Sequence, residues 1–529
     1  MIPKLLTFIS YFCAIFSEPV HLIVKLVHKT KIMGKFFKII ILFVAITAFS
    51  IHLRAQGYEI KIKISALKDS SILLGHHFAN SLYPDDTIKL DKKGMGVFKG
   101  KKPLPGGMYI VFLPSKKYFD IMIGDNQVFT ITADTGNFLK TVKFTGSLEN
   151  QLFFDYQNLI ADKRDIANKL AEQKKKSAST EQKDSITKAL EKINQEVVGY
   201  TKKIIADNPK LFFITFLKAL QEVEVPEPPR DAKGKITDST FQYKYYRKHY
   251  FDNFNYADPR LLRTPIYEEK IKNYIEKVVP QIPDTLITEV DAMLDKVKSN
   301  EELFRYLLVT LFNEYATSQI MGMDAVFVHI AEKYYIPNAT WSSKDYMDKL
   351  KKEIAKKKPN LLGKIAPNLN LVEVPTDHFL IAKTDTALKS NPYVGTPIDI
   401  YGIKAKFLVI AFWEADCGHC KKAIPLLYDS IYPRIKELGA KVLAIHMIAS
   451  VEGKRKWIDF VNEHNMYDWI NAWSPYSYEY KDLYDVYSTP VIYVLDENKR
   501  IVAKRIGPEQ IEDVIKFELR KEASPVGSK

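Results

Sequence analysis

Residues Phe407-Leu408-Val409-Ile410-Ala411-Phe412-Trp413-Glu414-Ala415-Asp416-Cys417-Gly418-His419-Cys420 decide how the C-terminal part of the chain folds. The first six side chains are uniformly apolar, which is the composition of a strand covered on both faces. The run reaches a C-x-x-C and passes directly into Lys421 to Leu438, whose apolar residues recur at helical spacing. Apolar Val442 to Ile448, a helical stretch around Lys454 to His464, and Pro490-Val491-Ile492-Tyr493-Val494-Leu495 follow. A turn at Asp496 to Lys499 separates that last run from Ile501 to Ile506, and a final helix is expected from about Pro508 to Leu519. Strands alternating with helices and closing on a hairpin predict an α/β core sheet over residues 361–520.

The chain has only three cysteines, and Cys13 lies in an N-terminal apolar region. A Cys417–Cys420 disulfide would close a loop of a few residues and restrict the unfolded chain very little, so its purpose is chemical rather than structural. Disulfide exchange needs a thiolate that attacks and a second thiol close enough to resolve the mixed disulfide. On the first turn of a helix the leading thiolate faces unpaired backbone N–H groups and the positive end of the dipole, which lower its pKa. Cys417 is therefore the expected nucleophile and Cys420 the resolving thiol, with no cofactor other than their own disulfide. A charged His419 would stabilise the thiolate further, whereas the Asp416 carboxylate would raise its pKa. A zinc site would need two more ligands, and His446 and His464 lack the spacing to supply them.

These residues resemble the thioredoxin superfamily, and within it the thiol-disulfide oxidoreductases of the TlpA and ResA type. The resemblance covers about residues 361–520 and rests on FWEADCGHC, on Thr489-Pro490 before a strand, and on the separation of about seventy residues between them. It implies a four- or five-stranded sheet flanked by helices, with the dithiol at a helix N-terminus facing a cis-proline at Pro490. It also implies that Trp413 packs beneath the motif and that Pro490 exposes the Thr489 backbone to a substrate strand. The tetrad Cys417-Gly418-His419-Cys420 is that of protein disulfide isomerases. Ala411 stands where thioredoxins carry a buried acid that relays protons to the resolving cysteine, and Glu414 stands where peroxiredoxin chemistry would want Thr or Ser. The resemblance favours a reductase of protein disulfides supplied by a membrane electron donor. The alternatives are a disulfide oxidase or isomerase, or a binding or structural envelope protein with an accessory thioredoxin-like module.

A length of 529 residues predicts three or four folding units. With 46% apolar and 26% charged residues the composition is globular, which excludes wholesale disorder, collagen-like and polytopic membrane classes. The net charge is +14, but residues 1–55 hold seven Lys/Arg against the single acid Glu18, and elsewhere the basic residues are scattered among acids. No nucleic-acid partner is expected from that distribution. From Met33, basic Lys35 and Lys38 precede apolar Ile39 to Ile51 and a small residue at Ala55, the layout of a cleaved secretory signal. The expected start is Met33, and the expected location is the periplasm or cell envelope of a Gram-negative bacterium.

Tyr58, Ile60, Ile62 and Ile64 alternate with charged residues, and short apolar runs separated by turn signals continue to residue 150. A small antiparallel β-sandwich is expected over 56–150, with His76-His77 as a surface pair. Residues 151–360 read as a helical domain: Ile186, Leu190, Ile193, Val197, Tyr200 and Ile204 share one helix face, in a hairpin broken near Ser177-Ala178-Ser179. The patch Tyr243, Tyr245, Tyr246 and Tyr250 is expected to pack helices together. Residues 521–529 form a tail.

Overall fold

The computed structural model describes residues 57–134, 136–389, 395–447, 450–474 and 478–523. The signal region expected over residues 1–55, with its start at Met33 and cut at Ala55, lies outside the described residues, as does the tail beyond 523. The chain divides into two compact units, Met1–Glu222 with Arg260–Ile266, and Val223–Pro259 with Tyr267–Lys529. The division passes through the segment 151–360 that the sequence reads as a single helical domain.

In the first unit, eight strands form two four-stranded sheets. They are β1 (Tyr58–Ile64), β2 (Ser71–Phe78), β3 (Ser81–Lys89), β4 (Met95–Gly100), β5 (Gly107–Phe112), β6 (Tyr118–Ile123), β7 (Val128–Ala133) and β8 (Lys143–Thr145). The sheet orders are β4-β1-β7-β8 and β3-β2-β5-β6. Ile60, Ile62 and Ile64 are buried while the lysines between them are exposed, so the period-two pattern chose the face correctly. The sheets are not wholly antiparallel, however, because β1 and β7 run parallel. Alternation identifies a strand and its wet side but carries no information about the direction of a partner sixty-odd residues away.

Helices α1 (Leu148–Lys176) and α2 (Thr180–Asp207) form the expected hairpin, with Ser179 capping α2 through its side chain. Only Glu149, Asn150, Phe153 and Phe154 of α1 and Thr201 and Ile204 of α2 are buried, all at the base. Asn150 stands in for a neighbouring strand there: its side chain accepts from the Met122 amide at 2.7 Å and donates to the Met122 carbonyl at 2.8 Å. His76 pairs with Asp85 at 2.8 Å and His77 with Asp120 at 3.2 Å, each imidazole on its own carboxylate.

The second unit begins with helices. Tyr243 donates to the Val278 carbonyl and Tyr250 to that of Lys270, so the tyrosine patch does tie helices together. Helices α3 (Pro283–Val297) and α4 (Glu301–Thr317) bury Leu286, Val290 and Leu294 with Leu303, Leu307 and Leu311, and α5 (Lys344–Lys357) leads through Lys358–Asn360 to the sheet. That sheet has seven strands, β9 (Asn370–Glu373), β10 (Thr396–Asp399), β11 (Phe407–Trp413), β12 (Ala440–His446), β13 (Ile470–Trp473), β14 (Val491–Asp496) and β15 (Ile501–Lys504). Their order is β10-β9-β13-β12-β11-β14-β15. The resemblance implied four or five strands. The additional antiparallel pair β9 and β10 joins at the β13 edge, and four-residue strands leave too little pattern to announce themselves.

Every residue of β11 is buried, and its side chains alternate between two cores. Phe407, Val409, Ala411 and Trp413 join one core, which includes Cys420, Ile424, Trp457 and Ile492; Leu408, Ile410 and Phe412 join the other, with Tyr484, Tyr493 and Leu495. A strand with no wet face has to be apolar throughout, which is the reason this stretch decides the fold.

Candidate active site

Strand β11 ends at Trp413, and the chain turns through Glu414-Ala415-Asp416 to deliver Cys417 to the start of helix α6 (Cys420–Pro425), which continues through Leu426–Ile431 and Tyr432–Lys436. Both thiols are free; Cys417 is half-buried and Cys420 fully buried. The Cys420 backbone N–H donates to Cys417 Sγ at 3.3 Å, and the Cys417 thiol donates to the Thr489 carbonyl at 3.2 Å. Thr489–Pro490 is a cis peptide, and it lies against the dithiol.

The two thiols are driven apart electrostatically. Burial pushes Cys417 up, but the Thr489 side chain, Cys420 and the backbone N–H groups of Cys420 and His419 outweigh it and hold the thiol below its ordinary value. Burial first, and the hydrogen bond to Cys417 second, push Cys420 up to about 12. One sulfur is thus accessible and ready to ionise, while the other keeps its proton.

Asp416 turns its carboxylate to Lys456 Nζ, which donates to it at 2.8 Å. The His419 backbone N–H is one of the groups that hold Cys417 below its ordinary value. The side chain lines an open groove of about 610 Å³ shared with Lys422, Leu426, Thr489, Pro490 and Ile506. Gly418 faces open space, and Trp413 is buried in the core that holds Cys420.

Sequence reading missed the burial of two basic residues in this domain, His446 and Lys454. The β11–β12 register sets Ala411 opposite Ala444 and Trp413 opposite His446. The His446 ring stacks on Trp457 at 5.1 Å, meets Trp413 edge-on at 5.4 Å, and its Nε2 accepts from the Ala415 amide at 3.4 Å. Lys454, on α7 (Val451–Glu463), is 1% exposed with its Nζ 4.7 Å from the Trp473 ring centre. The available signal was a histidine in phase with Val442 and Ala444 on an otherwise apolar strand. His464 lies elsewhere, against Phe460.

Burial pushes the Lys454 ammonium down to about 8. Between that value and the ordinary lysine value of about 10.4, the unfolded chain binds a proton that the folded chain does not, so rising pH favours folding. The wild type is expected to gain about 1–3 kcal/mol on Lys454→Met across that window. Parallel urea titrations at pH 8 and pH 10.4 check this, and a constant difference would contradict it.

Residues 58–153 match the model of DUF4369, a domain of unknown function, and residues 170–364 match that of DUF5106, another domain of unknown function. No curated protein matches the chain. Among solved structures, a domain of a possible thiol-disulfide isomerase from Cytophaga hutchinsonii is 32% identical over 31% of this chain and 97% of its own, with a TM-score of 0.25. The C-terminal domain belongs to the thioredoxin superfamily. A thioredoxin-like protein from Bacteroides caccae is 19% identical over 56% of this chain and 99% of its own, with a TM-score of 0.39. In this thioredoxin-like domain the position of the relay acid is occupied by Ala411, and its neighbour across the ladder, Ala444, is equally apolar and buried.

Proposed function

We propose that the protein is an exported thiol-disulfide oxidoreductase of the TlpA and ResA type that reduces disulfides of cell-envelope proteins. The observation that supports this is the asymmetry of the dithiol: a half-exposed Cys417 held below its usual pKa beside a buried Cys420 raised to about 12. Cys417 thiolate attacks one sulfur of a substrate disulfide. The substrate S–S bond breaks, and the departing substrate thiolate takes a proton from water. Cys420 then loses its proton and attacks Cys417 Sγ, releasing the second substrate thiol and leaving a Cys417–Cys420 disulfide. Two electrons have passed to the substrate, and a reducing partner at the membrane returns them.

Thr489 and Pro490 border the groove next to Cys417, where an extended substrate segment has room to lie beside the sulfur. Isomerase chemistry is the second reading, favoured by the CGHC tetrad, with the same first step and release without net oxidation. The redox state in intact cells separates both of these from an oxidase. Acid quenching and alkylation of the native cell-envelope fraction should find the dithiol mostly reduced. A fully oxidised steady state would overturn the reductase reading and promote an oxidase.

A further inference from the structure

The segment Asp482–Tyr487 runs into Ser488, Thr489 and Pro490, and the end of the helical region holds it from one side. Lys356, on the last turn of α5, donates to Asp482 Oδ1 at 2.7 Å and to the Tyr487 hydroxyl at 2.9 Å. Lys357 Nζ lies 3.6 Å from the Asp485 carboxylate, which also accepts from Arg505 at 2.7 Å. Exposed pairs of this kind contribute little singly. The anchor is Asn360, 2% exposed, whose side-chain amide donates to the Leu483 carbonyl at 2.6 Å and to the Lys356 carbonyl at 3.0 Å. Its own carbonyl accepts from buried Lys504 Nζ at 2.6 Å. From the sheet side, Tyr493 donates to the Tyr484 carbonyl at 2.7 Å.

The segment is therefore fixed at Asp482, Leu483, Tyr484, Asp485 and Tyr487, and a few residues later the Thr489 carbonyl meets the Cys417 thiol. Thr489 can hold its position only as well as the chain leading to it is held. Part of that grip comes from Lys356, Lys357 and Asn360, which lie inside the stretch 170–364 matched by the domain of unknown function.

We propose that the helical region is a positioning element for the dithiol: through Asn360 and Lys356 it fixes the Asp482–Tyr487 segment, sets Thr489 against Cys417, and so governs how fast Cys417 reacts. This rests on the reading of Cys417 as the attacking thiol. Asn360 and Lys356 are positioning residues and touch neither sulfur. Loss of the grip loosens Thr489, whose side chain is one of the groups that hold the Cys417 thiol below its ordinary value, and so moves the pH midpoint of reactivity upward.

The test is alkylation of Cys417 by iodoacetamide in the full chain, followed against pH by mass spectrometry, beside thermal unfolding. Asn360→Ala should slow the reaction at neutral pH about three- to tenfold and raise its midpoint, since small misplacements near reacting atoms are costly. Lys356→Ala should show a smaller change in the same direction, and Lys356→Arg should restore the wild-type profile. A purely structural role would lower the unfolding temperature without moving the midpoint. If Asn360→Ala does not fold, the exposed double variant Lys356→Ala/Lys357→Ala carries the same criterion. A folded variant with the wild-type rate and midpoint overturns the proposal. A wild-type Cys417 no more reactive than an ordinary cysteine overturns the dithiol reading and this proposal with it.

Discussion

Replacing Cys417 with Ser is expected to abolish insulin-disulfide reduction, a loss of at least about three orders of magnitude. The hydroxyl has no accessible anionic form, and the remaining thiol, Cys420, is buried and raised to about 12. Cys420→Ser should behave differently. Cys417 still attacks, but nothing resolves the adduct, so mixed disulfides accumulate and turnover stops after one event. Equal trapping by both single variants would contradict the assignment, as would activity surviving without Cys417. The pH dependence has a defined sign. The thiolate of Cys417 is favoured in the folded protein, so attack persists below the ordinary cysteine value of about 8.5 and fails only as pH falls through the lowered pKa.

The second large effect concerns Lys504 and Asp324. Lys504 has only 8% of its side chain exposed, and burial pushes its pKa down while Asp324 pulls it back up. Asp324→Ala leaves a buried ammonium with the Asn360 carbonyl as its remaining acceptor, and should cost about 2–4 kcal/mol of unfolding free energy. Lys504→Met should cost less, because the stranded carboxylate of Asp324 is 24% exposed and can hydrate. Adding Lys504→Met to Asp324→Ala should recover most of the loss. Denaturant titrations of the two singles and the double form the cycle, and strict additivity would show that the pair is not coupled.

Sequence reading succeeded where one residue pattern allows one solution. Strand β11 has no polar residue, so it had to be central, and the cysteines after it had to begin a helix on its buried side. It failed where structure depends on pairing between distant segments. The parallel β1–β7 pair and the short strands β9 and β10 are set by tertiary contacts, not by local alternation. The pairing of Asp416 likewise depends on a distant segment. Proximity along the chain suggests a carboxylate aimed at the thiolate, whereas the Asp416 carboxylate pairs with Lys456, 40 residues further on. Asn360 had no local signal for its role, since Leu483 and Lys504 lie more than a hundred residues further along the chain.

The hairpin of α1 and α2 buries side chains only at its base, against β6, β8 and their surroundings. Beyond Phe154 and before Thr201 the two helices have chiefly each other, through the seam of Ile186, Leu190, Ile193 and Val197. The free energy that closes the base is therefore largely independent of how far the helices extend. Amide exchange should be fastest at Ser177–Ser179 and slow progressively toward Phe154 and Ile204. Evolution could lengthen or shorten such an arm by whole heptads in both helices without disturbing either sheet, so its reach is a freely adjustable dimension of the molecule.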